Sequence, residues 1–240
     1  MNRSGIAPLA LLATIALAGC ETTQQKSAQI AKRDANQTAD ARQTKIGAAS
    51  KTVKVDQAQL VHTSSGTAAA IQLTNLSGQA QAHIPIIVTA YDAAGKAIYS
   101  NNTVGADLPS GELTLLGAHA TVWWVDSNVL AGAGTPVRVS AQIGAGKTPA
   151  TATGLSVSRL SSGSNFVGAF ISGRAVNGSN ATQSQVTIYA VALNGTRVVA
   201  AGEDILPSIG AGSSAPFQVT VTGSTKGARV TAIAVPSNGS

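Results

Sequence analysis

The chain has 240 residues, of which 44% are hydrophobic, 11% charged and 3% aromatic. That composition excludes intrinsic disorder, and it requires a core built from Val, Ile, Leu and Ala, in one large domain or two of ordinary size. The formal net charge of +6 is spread thinly: five basic and three acidic residues over 21–50, five and five over 51–147, and five and two over 148–240. Nucleic-acid binding needs clustered Lys and Arg with stacking aromatics, and neither pattern is present; weak attraction to anionic lipid or wall polymer stays open.

Residues 1–19 read as a secretory signal. Arg3 supplies a short positive region, and Ile6 to Leu17 form an apolar stretch interrupted by Pro8 and Thr14. The stretch is short of the roughly 20 residues of a transmembrane helix and suits a signal peptide. The run Leu17-Ala18-Gly19-Cys20 that follows resembles the lipobox of bacterial lipoproteins. The resemblance implies cleavage between Gly19 and Cys20, small residues there to suit the peptidase groove, and a diacylglycerol thioether on the Cys20 sulfur. A thiol is required because its thiolate is the nucleophile that takes the lipid. The alternatives are an ordinary signal peptide or a buried free cysteine. Cys20 is the one cysteine of the chain, so no intramolecular disulfide can form. The expected location is exported and lipid-anchored, on the outer face of the cell membrane or on the outer membrane. Glu21 follows the cysteine, where enteric-type lipoproteins carry Asp as a retention signal.

Residues 20–51 are the lipidated cysteine and a polar tether of Gln, Lys, Thr, Ala, Arg and Asp, with Ile30 and Ile46 as the large apolar residues. A flexible chain of this length spans roughly 30 Å.

From about residue 52 the pattern becomes short runs of Val, Ile, Thr and Ala separated by Gly, Asn, Ser and Pro, as in an all-β sandwich. The tract from Gly144 to Thr153 divides it into modules at 52–147 and 150–237. The two align in order. Ile71–Asn75 falls on Gly173–Asn177, Val88–Tyr91 on Ile188–Val191, and Leu108-Pro109-Ser110 on Leu206-Pro207-Ser208. Further on, Leu116-Gly117-Ala118 falls on Ile209-Gly210-Ala211, Trp124 on Phe217, and Val137–Ala141 on Ala228–Ala232. Asn194-Gly195 predicts a two-residue hairpin turn, and Asp92 to Lys96 a type I turn closed by a left-handed Gly95. Pro85 predicts an edge strand or a strand start. The sequons Asn177-Gly178-Ser179 and Asn194-Gly195-Thr196 read as turns.

The first module resembles the FxLyD family of bacterial envelope lipoproteins. Asn75 after a strand, Val88-Thr89-Ala90-Tyr91-Asp92, Gly95, and a later Gly turn before Trp124 carry the likeness. Tyr91 and Asp92 match the end of the family motif, whereas Val88 and Ala90 replace its aromatic and its leucine. The resemblance implies an immunoglobulin-like sandwich; it does not imply a catalytic activity, because the family is defined by fold-setting residues. The expected fold is therefore all-β, with two tandem immunoglobulin-like antiparallel sandwiches after the signal peptide and tether.

Candidate chemistry is sparse. His62, His83 and His119 lack Cys or acidic partners at ligand spacing, so no metal site is expected. No serine lies in a Gly-x-Ser-x-Gly elbow. Of the acids Asp92, Asp107, Glu112, Asp126, Glu203 and Asp204, the adjacent pair Glu203-Asp204 would point opposite ways on a strand. Gly132-Ala133-Gly134 lacks the Lys of a phosphate loop. No catalytic residue and no cofactor is expected. Trp123 and Trp124 sit in a strand-like run and must face opposite ways. Trp124 shares parity with Val122 and aligns with Phe217, so it belongs to the core. Trp123 points outward and is the named candidate for partner contact. The expected function is a non-enzymatic binding or structural module, held to the membrane by its lipid and facing an envelope protein or a wall or glycan polymer. The alternative is a glycan or small-ligand binder using an exposed aromatic patch, and behind it an unrecognised enzyme.

Overall fold

The computed structural model describes residues 44, 46–102, 111–130, 134–148 and 153–237, within one compact unit. The signal peptide, Cys20, Asp107, Leu108-Pro109-Ser110 and Gly132-Ala133 lie outside these residues.

The described residues are all-β and the strands pair antiparallel. The first half holds β1 (Val53–Thr63), β2 (Gly66–Asn75), β3 (Gln81–Tyr91), β4 (Ala97–Ser100), β5 (Glu112–Leu116), β6 (Thr121–Asp126) and β7 (Arg138–Ile143). The second holds β8 (Leu155–Ser164), β9 (Ala169–Asn177), β10 (Gln183–Asn194), β11 (Arg197–Ile209), β12 (Ser214–Thr220), β13 (Thr222–Gly223) and β14 (Arg229–Pro236). One sheet of the first half runs β1-β2-β6; the other centres on β3, which pairs with β4, β5 and β7. The second half repeats this as β8-β9-β12 and β13-β11-β10-β14, with the long β11 taking the places of β4 and β5.

Register carries the repeat down to single residues. Ile71 pairs with Trp124 and Leu73 with Val122; at the equivalent places Gly173 pairs with Phe217 and Ala175 with Ala215. The Val88–Tyr91 alignment is corrected by the pairing. Tyr91 sits opposite Arg138 and Leu193 opposite Arg229, so Tyr91 corresponds to Leu193 and Asp92 to Asn194. The two-residue slip arises because the second hairpin is shorter. Its strands meet at Asn194 and Arg197, leaving Gly195-Thr196 as the turn, one residue beyond the expected Asn194-Gly195. Gly195 has φ 62°, the value a type II′ turn needs at its first position. The first hairpin closes as expected, with Gly95 N donating to Asp92 O at 3.0 Å and Gly95 at φ 79°.

Pro85 departs from expectation, because it lies inside β3 with β5 on one side and the Gly144–Lys147 segment on the other. Its carbonyl accepts from Gly144 N at 2.9 Å, and His83 two residues earlier has φ 52°. The strand is locally distorted there, which is where a residue without an N–H is tolerated.

A side-chain corner recurs in both halves. Asn75 Nδ2 donates to Gln79 O (2.8 Å) and Gly117 O (2.9 Å), while its Oδ1 accepts from Ser77 N (3.0 Å) and Ser77 Oγ (2.8 Å). Asn177 Nδ2 donates to Ala181 O (2.8 Å) and Gly210 O (3.1 Å), and its Oδ1 accepts from Ser179 N (3.0 Å) and Oγ (2.7 Å). Both asparagines are buried, at 1% and 0% exposure. The sequon at Asn177 is thus a buried structural turn.

The core is not split by halves. Ile71, Leu73, Ile84, Ile86, Val88 and Trp124 form one cluster that also takes in Tyr189, Val191, Leu193, Val198 and Val235 from the second half. The alternate residues of β10, Val186, Ile188, Ala190 and Ala192, face a separate core with Ile171, Phe217 and Val219. Near the N-terminal end of the described chain, Ser50 N donates to Ile143 O at 3.0 Å, so the last tether residues run along β7.

Trp124 is fully buried, and its ring meets Tyr189 at 6.2 Å between centroids. Its Nε1 finds no hydrogen-bond acceptor among the described residues. Trp124→Ala is therefore expected to cost about 3–5 kcal/mol, and Trp124→Phe much less, because Phe keeps most of the apolar contact and removes an unpaired donor. Equilibrium urea unfolding measures both; equal losses would mean that the indole N–H is satisfied. Asn75→Ala and Asn177→Ala should each cost about 2–4 kcal/mol, since each strands buried carbonyls. The Asp variants should cost at least as much, because a carboxylate oxygen would then face carbonyl oxygens. Variants within about 0.5 kcal/mol of the parent would contradict the corner's role.

Candidate functional site

The strand pairing aims side chains of the two halves at each other. Gln57, Gln72 and Trp123 are consecutive cross-strand neighbours on β1, β2 and β6. Facing them are Leu193 with its partner Arg229, and Thr231 on the same side of β14. Between them lies a cleft of about 250 Å³, further lined by Thr121, Gly195 and Thr196. Trp123 does point away from the core of its own half, as its parity requires, but the second half covers it and its exposure is 8%. The contact it makes in this structure is intramolecular.

A chain of amides leads into the cleft. Gln59 clamps the halves: its Nε2 donates to Thr196 O at 3.0 Å, and its Oε1 accepts from Val198 N at 2.9 Å. The same Nε2 donates to Gln57 Oε1 at 2.5 Å, and Gln57 Nε2 donates to Gln72 Oε1 at 3.1 Å. Every link runs in one direction, so Gln72 is left with its N–H groups to offer. Arg229 is the charged residue of the lining, and it has no ion-pair partner among the described residues.

The junction also gathers acids. Asp126 is fully buried at the end of β6. It accepts from Tyr99 OH at 2.6 Å and from Asn128 N at 3.1 Å, so both its oxygens are occupied. Burial holds the Asp126 carboxyl above its ordinary range, against the pull of those two bonds. Burial, then the Asp126 charge, push the Tyr99 hydroxyl up as well. Glu203 of β11 is half-buried and accepts from Ser127 Oγ at 3.2 Å. Its carboxyl is raised to about 7 by burial first and by Asp126 second. Nothing in the sequence pairs Asp126 with Glu203, 77 positions apart; the junction does.

The other candidates are dispersed. His62 Nδ1 meets Thr67 Oγ1 at 2.6 Å, and His83 Nδ1 meets Glu112 Oε1 at 3.3 Å, a pairing that spacing alone did not suggest. His119 sits in the loop before β6 with φ 53°. Tyr91 is stacked under Arg138, whose Cζ lies 3.9 Å from the ring centroid, and Asp92 Oδ1 accepts from Lys96 N at 2.9 Å to fix the turn. No group of three or more metal-ligating side chains is gathered among the described residues. Phe166 stands fully exposed at the β8–β9 tip, on a turn held by Asn165 Oδ1, which accepts from Val167 N at 2.9 Å.

The raised carboxyl gives a pH dependence of stability. Between the ordinary value of 4.5 and about 7, the folded chain holds the Glu203 proton and the unfolded chain does not. The stabilisation is full below 4.5 and is lost as pH rises through about 7, by roughly 3 kcal/mol at most. Glu203→Gln should melt higher than the parent at pH 8 and lose less stability across that window. Thermal melts at pH 4.5 to 8 measure the difference between the two proteins; parallel curves would show that Glu203 titrates normally. A scan against protein-family models finds no match for the chain, and a search of curated proteins finds none either.

Proposed function

We propose that the chain is an exported bacterial lipoprotein, anchored through Cys20, whose two immunoglobulin-like halves act as a non-enzymatic binding or structural module in the cell envelope. The observation that carries this reading is the setting of the single cysteine. It ends an apolar run, follows Leu17-Ala18-Gly19, and precedes some 30 mostly polar residues before β1 begins at Val53. Two or three acyl chains on and beside that cysteine hold a protein to a bilayer where one chain would not. The likeness to FxLyD envelope lipoproteins agrees with this reading. So does the pairing of β1, β2 and β6 against β3, β4 and β7, which is compatible with an immunoglobulin-like sandwich.

The mechanism is presentation. The lipid fixes the chain at a surface, the tether gives reach, and the joined halves offer one compact unit to a partner. Within that unit the inter-half cleft, with Trp123 in its lining, supports the second reading, a glycan or small-ligand binder.

Intact-mass analysis of the membrane fraction from a bacterial host tests the anchor. The parent should begin at residue 20 and carry diacylglycerol, and Cys20→Ser should keep residues 1–19 and carry no lipid. A mature chain that begins elsewhere, without acyl mass on Cys20, would overturn the reading.

A further inference from the structure

We propose that the cleft between the halves binds a small ligand carrying a carboxylate on a polar ring, as in a sugar acid. This rests on the binding-module reading and gives it a site and a ligand class.

The polar groups of the lining are biased towards donors and towards positive charge. Arg229 lies opposite Leu193, whose side chain packs in the cluster of the first half, so β14 presents the guanidinium on the side facing that half. Among the described residues no acid lines the cleft, and neither ion pair involves Arg229. Gln72 ends the one-way relay from Gln59 and Gln57, with its oxygen used and its N–H groups left to give. Thr231 adds a hydroxyl to the rim, whereas the Thr121 hydroxyl donates to Thr74 Oγ1 at 2.7 Å, because Thr74 spends its own hydrogen on Asp56. Such a set calls for acceptors on the ligand.

Charge and shape narrow the class. A guanidinium presents a planar fork that matches a carboxylate with two parallel hydrogen bonds. One unpaired cation balances a monoanion. A phosphate dianion would keep a negative charge in a cleft that offers it no second cation and no helix N-terminus. Trp123 adds a flat apolar edge, which suits a ring body. The volume of about 250 Å³ falls below the roughly 300–1,000 Å³ of drug-sized sites, so the occupant is a single ring. The burial that makes Trp123 a poor exposed patch is what makes it a wall. Gln59 holds both halves at the cleft margin, so the walls are set before any ligand arrives.

The test uses the full chain, ¹⁵N-labelled, titrated separately with D-glucuronate, D-glucose and inorganic phosphate. The two indole N–H resonances are the readout, assigned with Trp123→Phe. Glucuronate should shift the Trp123 resonance saturably and leave Trp124 in place. Glucose, which lacks the carboxylate, should bind at least about tenfold more weakly, and Arg229→Gln should weaken glucuronate to a similar degree while leaving the rest of the spectrum unchanged. Gln72→Leu, a milder change on the other wall, should weaken it less. Any of four results would overturn the proposal: no saturable shift with glucuronate, equal binding of glucose, full binding by Arg229→Gln, or tighter binding of phosphate. A failed titration leaves Cys20 lipidation, read by mass, where it stands. A chain without lipid on Cys20 leaves the titration readable.

Discussion

Eight consecutive residues of β10, Val186 to Leu193, are buried, and the structure is organised around that fact. A strand on the outside of a lone sandwich alternates between core and water. β10 instead sends Val186, Ile188, Ala190 and Ala192 into its own half, and Tyr189, Val191 and Leu193 into the other. Burying both faces joins the halves through apolar contact over the length of the strand. The clamp at Gln59, the cover over Trp123 and the meeting of Asp126 with Glu203 are all consequences of that docking. Separate modules on a flexible hinge would have none of them.

Within each half the repeated corner does the aligning. Asn75 and Asn177 each tie the end of a strand, the following turn and a glycine carbonyl 42 and 33 residues on, respectively. An asparagine can do this because one side chain supplies donors and an acceptor on the same rigid plane. With the corners fixed, the packing nearby is free to vary. The first half sets Ile71 against Trp124; the second sets Gly173 against Phe217, whose ring fills the space where a Cβ on residue 173 would stand. Both members of the pair are smaller in the second half, while the hydrogen-bonded corner is the same.

Much of this was legible in the sequence. The alternation of Val, Ile and Thr with turn residues identified an all-β chain, and the parity of Trp124 with Val122 placed it in the core. The ordered matches showed the repeat, although length alone could not locate the gap in a hairpin, and the slip at Val88–Tyr91 was settled by cross-strand pairs. The run Val186–Leu193 itself carried the signal of two-sided burial, as did Ala68-Ala69-Ala70-Ile71 in β2, but continuous apolar residues do not say what covers them. The cleft was least legible. Gln57, Gln72 and Arg229 alternate with apolar residues just as solvated strand positions do, and their convergence depends on how two sheets meet.

Among the described residues the junction holds acids without a basic partner and a base without an acidic one, and the register explains why they do not neutralise each other. Glu203 pairs with Tyr189 on one side of β10, and Arg229 pairs with Leu193 on the other. Four residues along a strand amount to roughly 13 Å, and the two flanking strands lie a further two strand spacings apart. That exceeds any side-chain ion pair and is beyond the screening length of about 8–10 Å in physiological salt. The carboxyl of Glu203 therefore keeps the full effect of burial and of Asp126. The guanidinium of Arg229 equally keeps its charge for whatever enters the cleft. Had the two strands docked four residues out of step, the charges would have closed on each other, leaving a sealed structural contact in place of an open, positively charged cleft.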